Sequence, residues 1–341
     1  MCRLVCRLVA LAFLVASPLA AQTAVPAPPA AVTVTATQKQ TVVERLAATL
    51  VDNFVFPEVG QRYATAIRTK LAAGGYDGLD SVTFAKALTD DLQAVHEDRH
   101  IRVRPPGTQP RRQPNGNPIK PIEEAKWLAP GVAYIKFNMF PGDPETVGSL
   151  ERFMTEHADA KALIIDARTH RGGGLAEMDV MFPYLYAKPT PLVQMDTRAA
   201  VAAAGRTPFE AGPTVRPLSG PEGVVRREHI ALPGKATALR TAKAFYLTSN
   251  QTASAAEHLA LALKRTGRAT LIGETTRGAG HYGIGADLGD GFSAFIPVGR
   301  TFDPDTGEGW EGKGVAPHVT VPAEKALDEA LRLAGAAGTS A

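Results

Sequence analysis

The spacing of apolar residues changes character near residue 100, and this change constrains the fold more than any single motif. Before it, Val42, Val43, Leu46, Leu50 and Phe54 recur at helical spacing. Pro57 opens a second helix that runs to Leu71 and ends at Gly74-Gly75. Ser81 reads as the N-cap of a third, with Phe84, Leu88, Leu92 and Val95 on one face. Three short amphipathic helices can bury their stripes against each other, which predicts a small bundle over residues 39–104. After the change, Ile101-Arg-Val-Arg alternates like a strand and stops at Pro105-Pro106, and a polar, Pro-rich loop covers 105–121. Strand patterns at 132–140, 162–166, 191–196, 244–247 and 269–272 alternate with helical patterns at 144–157, 175–187 and 253–265. Short strands over 284–299 and 318–321 and a helix over 322–334 complete the chain. Such alternation predicts an α/β catalytic domain over 122–335. Residues 198–235 show no clear period.

The first residues read as a signal peptide. Arg3 and Arg7 form a positive start, Leu8 to Ala16 an apolar core too short for a stable span, and Leu19-Ala20-Ala21 a cleavage site. The expected signal peptide is 1–21. Residues 22–38, rich in Ala, Pro, Val and Thr, read as an extended linker. Both cysteines, Cys2 and Cys6, lie in the removed segment. A mature chain without cysteine has no disulfide, no thiol nucleophile and no Cys-bound zinc. Removal of two arginines leaves it near neutral, with no stable membrane insertion expected. Aromatics are 6% and the formal charge is +3, so neither a base-stacking surface nor a basic stripe supports nucleic-acid binding.

Three constellations could carry chemistry. His96-Glu97-Asp98-Arg99-His100 matches the H-E-x-x-H zinc pattern, in which two histidines share a helix face. The strand-like alternation begins immediately after it and no third ligand follows at a fixed spacing, so a chance match is the better reading and no metal is expected. Ser254 lies between the strand AFYLTS and the helix ASAAEHLALALK. There it can project its hydroxyl from a tight turn, with Ala255 N–H as an unpaired helix donor suited to an oxyanion. Read alone, it is an ordinary helix cap. The run Arg171-Gly172-Gly173-Gly174 follows the buried strand ALIID and lets backbone amides approach a ligand. It lacks the endings of phosphate and dinucleotide loops, so an oxyanion or peptide cradle fits better.

Together these stretches resemble the tail-specific (C-terminal processing) serine proteases, a family that includes the tricorn core protease and the interphotoreceptor retinoid-binding repeats. The matching segments are IIDARTHRGGG, YLTSNQTASAAEHLALALKRTGRATLIGETTRGAG and FIPVGRTFDPDTGEGWEGKGVAPHVTVPAEKAL. HEDRHIRV resembles the end of the retinoid-binding branch's helical domain, and no PDZ domain is evident. The resemblance implies a crotonase-like α/β spiral after a helical bundle. It places the nucleophile at Ser254. The dyad branch's lysine falls on Ala279, which rules against that dyad. The tricorn-type base then falls on His100 and its carboxylate on Glu311, although Arg99 stands where that branch has a serine. Gly172 or Gly173, with Ala255, would hold the oxyanion. His281, close to the position of the missing lysine, is the alternative base.

The expected function is an exported, periplasmic or secreted, serine peptidase with a Ser/His/Glu site and no cofactor, acting on peptide or protein substrates. The alternatives are a silent apolar-ligand-binding protein of the same fold and the zinc peptidase. The N-terminal reading is testable by itself. Sequencing of the exported protein should find a start near Gln22, and a chain retaining Met1 or Cys6 would contradict it.

Overall fold

The computed structural model describes residues 30–108, 119–234 and 236–336. The expected signal peptide, both cysteines and residues 22–29 of the linker lie outside the described residues. The rest of the linker expectation is corrected. Thr33 bridges to Asp80, and α1 (Ala36–Asn53) already begins at Ala36. A capping box starts it: Thr35 Oγ1 accepts from Gln38 N, and Gln38 Oε1 accepts from Thr35 N. α2 (Pro57–Ala72) opens on proline, whose missing N–H is no loss in a first turn. α3 (Ser81–Val95) is capped by Asp80 instead of Ser81. The Asp80 carboxylate accepts from Val82 and Thr83, while Ser81 Oγ accepts from Val32 N.

The remaining elements, in order, are β1 (Arg102–Arg104), β2 (Ile122–Ala129), β3 (Val132–Phe137), α4 (Pro144–Glu156), β4 (Ala162–Asp166), α5 (Ala176–Leu185), β5 (Thr190–Arg198), α6 (Ala199–Ala203), β6 (Val215–Leu218) and β7 (Val224–Ala231). Then come β8 (Lys243–Thr248), α7 (Ala255–Arg265), β9 (Thr270–Gly273), β10 (His281–Gly289), β11 (Phe292–Phe302), β12 (Val319–Thr320) and α8 (Ala326–Ala334). One sheet runs β12-β9-β8-β4-β3-β2, parallel except where β2 meets β3. The other runs β1-β11-β5-β7-β6, with β10 also on β11, and is antiparallel throughout. The α/β class read from the alternation is the class observed. The unread stretch 198–235 holds short α6 and the β6–β7 pair, and β7 shows no regular alternation of buried and exposed positions.

Every residue of β4 is buried, as a parallel strand covered on both faces must be. Ala133, Leu163, Ile165, Tyr246 and Leu271 pack into the core formed with α4, α5 and α7. Tyr134, Ile164, Phe245, Leu247 and Ile272 face the other way, onto Ala326 and Ala330 of α8. The sheet therefore presents its carboxyl-terminal strand ends, with the loops after β4 and β8, at one edge.

The helical region is not a bundle closed on itself. Its buried stripes share one core with Leu288, Phe292, Ala294, Ile296 and Val298 of β10 and β11. The Phe84 ring meets Tyr76 at 5.3 Å and Phe292 at 5.7 Å, both edge-on. Three short helices have too little mutual surface, and the apolar face of a distant hairpin completes it. No helix among the described residues is long and apolar enough to cross a membrane. Phe84→Ala should lower stability by about 3–5 kcal/mol. Amide exchange should then accelerate in α1–α3 and in β10–β11 together, whereas loosening of the helices alone would contradict a shared core.

Candidate active site

Ser254 sits where the buried strand β8 ends and α7 begins. Its backbone has φ 59° and ψ −120°. Among the described residues only Asp290 is another non-glycine with positive φ. Such backbone costs about 1–3 kcal/mol and persists where the surroundings enforce it. Here the enforcing group is Glu257, fully buried. Its Oε2 accepts from Ser254 N at 2.8 Å and Ala279 N at 2.8 Å, and its Oε1 from Thr276 Oγ1 at 2.6 Å and Gly278 N at 2.6 Å. Burial pushes its carboxyl up, while these four donors pull it the other way.

The loop after β4 closes on the same turn. Buried Asp166 accepts from Arg168 Nη2 at 2.6 Å and from Tyr134 Oη at 2.8 Å. Ala253 N donates to His170 O at 3.0 Å and joins the two loops. Gly172, at φ 107°, makes room for the serine: a Cβ there would lie 2.7 Å from Ser254 Cβ. Its N–H donates to His170 Nδ1 at 3.0 Å, and complete burial lowers that imidazole to about 3, keeping it neutral. The expectation that Gly172 supplies an oxyanion donor is corrected on that ground, because its amide is already engaged. Gly173 and Ala255 donate their N–H groups to no other group among the described residues. Ala255 is the first residue of α7, where helical geometry leaves the amide unpaired.

Ser254, Gly173, Ala255, His258, Ala279 and His281 line one small cavity of about 30 Å3. His281, at the start of β10, is 6% exposed. Its Nδ1 lies 2.7 Å from Oδ2 of Asp98, which is fully buried. Asp98 Oδ1 accepts from His100 N at 2.9 Å and Ile101 N at 3.3 Å. Burial alone would push the Asp98 carboxyl up, but the hydrogen bond and charge of His281 outweigh it and hold it below the usual range.

His100 is placed differently from its expectation as base. Its ring lies beside Phe295 with centroids 5.7 Å apart, and it is not among the residues of the cavity wall. Its Nδ1 is buried without a hydrogen-bond partner among the described residues, and desolvation lowers its pKa to about 4. The cause is local. α3 ends at Val95, His96 is extended at φ −160° and ψ 125°, and Gln93 accepts from Asp98 N at 3.0 Å. The resulting turn turns the Asp98 carboxylate, not the His100 ring, toward His281. The same turn removes the zinc reading, since His96 and His100 do not share a helix.

Glu311, expected to support His100, grips backbone instead. Its Oε1 accepts from Arg99 N at 2.7 Å, and its Oε2 from Gly280 N at 2.5 Å and His281 N at 3.0 Å. Burial and the Asp98 charge push its carboxyl up. At position 99 it is the backbone N–H that meets Glu311, and the Arg99 side chain pairs with Glu97 at 3.0 Å. Asp98, His281 and Glu311 also bring three potential metal-ligand atoms within 4.8 Å of one another. Both Glu311 oxygens are taken by N–H donors, so the donor set is that of a hydrogen-bonded support. The sequence reading missed Asp98 as a partner of His281. The pair is 183 positions apart, and no local signal links them.

Residues 131–321 match the profile of peptidase family S41, and residues 29–129 match that of the N-terminal domain of this family in eukaryotic IRBP. The fold is similar to the photosystem II D1 C-terminal processing protease, with TM-score 0.55, 17% identity, and coverage of 89% of this chain and 99% of that one. It is similar to a putative peptidase from Parabacteroides merdae, with TM-score 0.60, 16% identity, and coverage of 89% and 98%. The tricorn protease matches at TM-score 0.52 and 13% identity over 87% of this chain and 35% of that one. At these identities the likeness is one of fold.

Gly173 offers a test of the loop's packing. At φ 138°, an added Cβ would meet Phe140 O at 1.9 Å. Gly173→Ala should therefore lower unfolding free energy by roughly 2–4 kcal/mol. A variant as stable as the parent in urea denaturation would contradict the close approach.

Proposed function

The chain belongs to peptidase family S41 and is a serine-type hydrolase of peptides or proteins; on that premise we propose that it is exported and cleaves through an acyl-enzyme on Ser254, with His281 as base and Asp98 as the carboxylate that orients it. The observation that carries the reading is the single cavity lined by Ser254 and His281, together with the 2.7 Å contact between His281 Nδ1 and buried Asp98.

The chemistry follows from these groups. A serine hydroxyl is a weak nucleophile and needs a neighbouring base. Asp98 fixes the proton of neutral His281 on Nδ1, which leaves Nε2 to take the Ser254 proton as Oγ attacks the carbonyl carbon. The negative oxygen of the tetrahedral species is met by the N–H groups of Gly173 and Ala255. Each such donor is typically worth about 3–4 kcal/mol in the transition state. Collapse breaks the C–N bond, and His281 returns the proton to the leaving amine. Water then repeats the sequence on the acyl group and frees Ser254. Asp98 also stabilises the imidazolium formed in each half. Glu311 acts one step back, by holding the amides of Arg99, Gly280 and His281. The ligand-binding alternative demands none of this arrangement, since holding an apolar ligand needs neither a nucleophile nor a carboxylate-paired histidine.

The assignment of the base is decided by kinetics. With a peptide mixture read by mass spectrometry, Ser254→Ala and His281→Ala should each reduce cleavage by roughly three to four orders of magnitude, because members of such a unit fail together. His100→Ala should cost less than about tenfold. If His100→Ala proves as damaging as Ser254→Ala, and His281→Ala mild, the base is His100.

A further inference from the structure

A second chain of polar groups reaches the cavity from the side opposite Asp98. His258, one turn into α7, is 3% exposed and lines the cavity beside Ser254. Its Nε2 lies 2.8 Å from Nδ1 of His229 on β7, and His229 Nε2 lies 3.0 Å from Oδ1 of Asp179 on α5. Asp179 Oδ2 accepts from Thr214 Oγ1 at 2.9 Å. The side chain of Asp179 is 32% exposed and that of His229 is fully buried, so the chain runs from the surface inward.

The order of protons along it follows from the donors and acceptors available. An ionised carboxylate only accepts, so His229 carries its proton on Nε2 and accepts at Nδ1. His258 must then donate from Nε2. Burial, with His229 beside it, keeps His258 uncharged, so its Nδ1 is a bare acceptor. No protein donor meets that nitrogen among the described residues. Thr301, 3% exposed, lines the same cavity. The remaining wall includes Leu175, Phe209 and Trp310. A small apolar pocket with a few placed polar groups is the form of a side-chain recognition site.

We propose that this cavity is the subsite for the residue on the acyl side of the cleaved bond, and that His258 makes it selective for a small side chain bearing an O–H donor, serine above all. The proposal rests on Ser254 being the nucleophile. Gly173 and Ala255, the two free amides, line the same cavity, so a carbonyl held by them has its own side chain beside it. With the carbonyl in place, the walls formed by Leu175, Phe209 and Trp310 leave room for a small side chain and disfavour Leu and Phe. A serine hydroxyl can donate to His258 Nδ1, whereas alanine brings that acceptor no donor. Sites built to bond a hydroxyl discriminate strongly against analogues that lack it. His258 touches the substrate; His229 and Asp179 are positioning residues that fix which of its nitrogens carries the proton.

The test is a set of peptides identical except for Ser, Ala, Thr, Leu or Phe at that position. For the parent enzyme, kcat/KM for Ser should exceed Ala by about tenfold or more, with Leu and Phe poorest. In His258→Leu the Ser/Ala ratio should fall to about one. Because that residue is buried, Asp179→Ala is the second variant: it acts from the partly exposed end, releases the tautomer of His229, and should also collapse the ratio. The ratio is read within each variant, so a general loss of rate does not imitate the effect. Ser254-dependent cleavage with no Ser/Ala discrimination, with Leu or Phe preferred, or with the ratio intact in both variants overturns the subsite alone. Absence of Ser254-dependent cleavage across the whole set overturns the nucleophile and the subsite with it.

Discussion

The Glu257 carboxylate is the interaction on which the rest of the site depends. It is fully buried and accepts four hydrogen bonds, from the amides of Ser254, Gly278 and Ala279 and from the hydroxyl of Thr276. A buried carboxylate with fewer donors would be costly, since each unmet polar group forfeits about 1–3 kcal/mol. With all four in place, one side chain holds the serine in its uncommon backbone conformation and ties that turn to the loop leading into His281. Ser254 and His281 belong to different elements, and this clamp fixes their separation. Its local spacing, three residues after Ser254, also caps α7, so the same group starts the helix whose first free amide faces the cavity.

A second clamp reaches further. Glu311 holds Arg99 N on the helical side and Gly280 N and His281 N on the sheet side. Asp98, from the turn after α3, adds its bond to the His281 ring. The shared core of α1–α3 with β10 and β11 supplies the rigidity these contacts need. The helical region is therefore part of the site: without it His281 would lose its carboxylate. That division of labour explains why residues nearly 200 positions apart meet within one small volume.

Local features were legible in the sequence, and long-range pairings were not. The turn at Ser254 could be read because a strand pattern, a small polar residue and a helix pattern stand in succession. The glycine run could be read because only glycine tolerates the approach to Ser254 at Gly172 and to Phe140 at Gly173. Which of the two glycines keeps a free amide depended on His170 Nδ1, a contact that no spacing announces. The histidine-rich segment matches a metal motif in spacing but reads as a chance match because a strand pattern follows it, and α3 does stop at Val95. Choosing His100 over His281 followed the family pattern. The deciding contact, Asp98 with His281, depends on how the helical region docks on β10. His229 lay in the stretch without a period, and its partners come from α5 and α7.

The central claim is that Ser254 is an activated nucleophile, not merely the cap of α7. The most direct measurement is treatment of the folded protein with an aryl fluorophosphonate, followed by digestion and mapping of the adduct by mass spectrometry. The account predicts one phosphonyl group per chain, on the peptide containing Ser254, absent after prior denaturation and absent in Ser254→Ala. A folded protein that takes no adduct, or takes it on another residue, would contradict the claim.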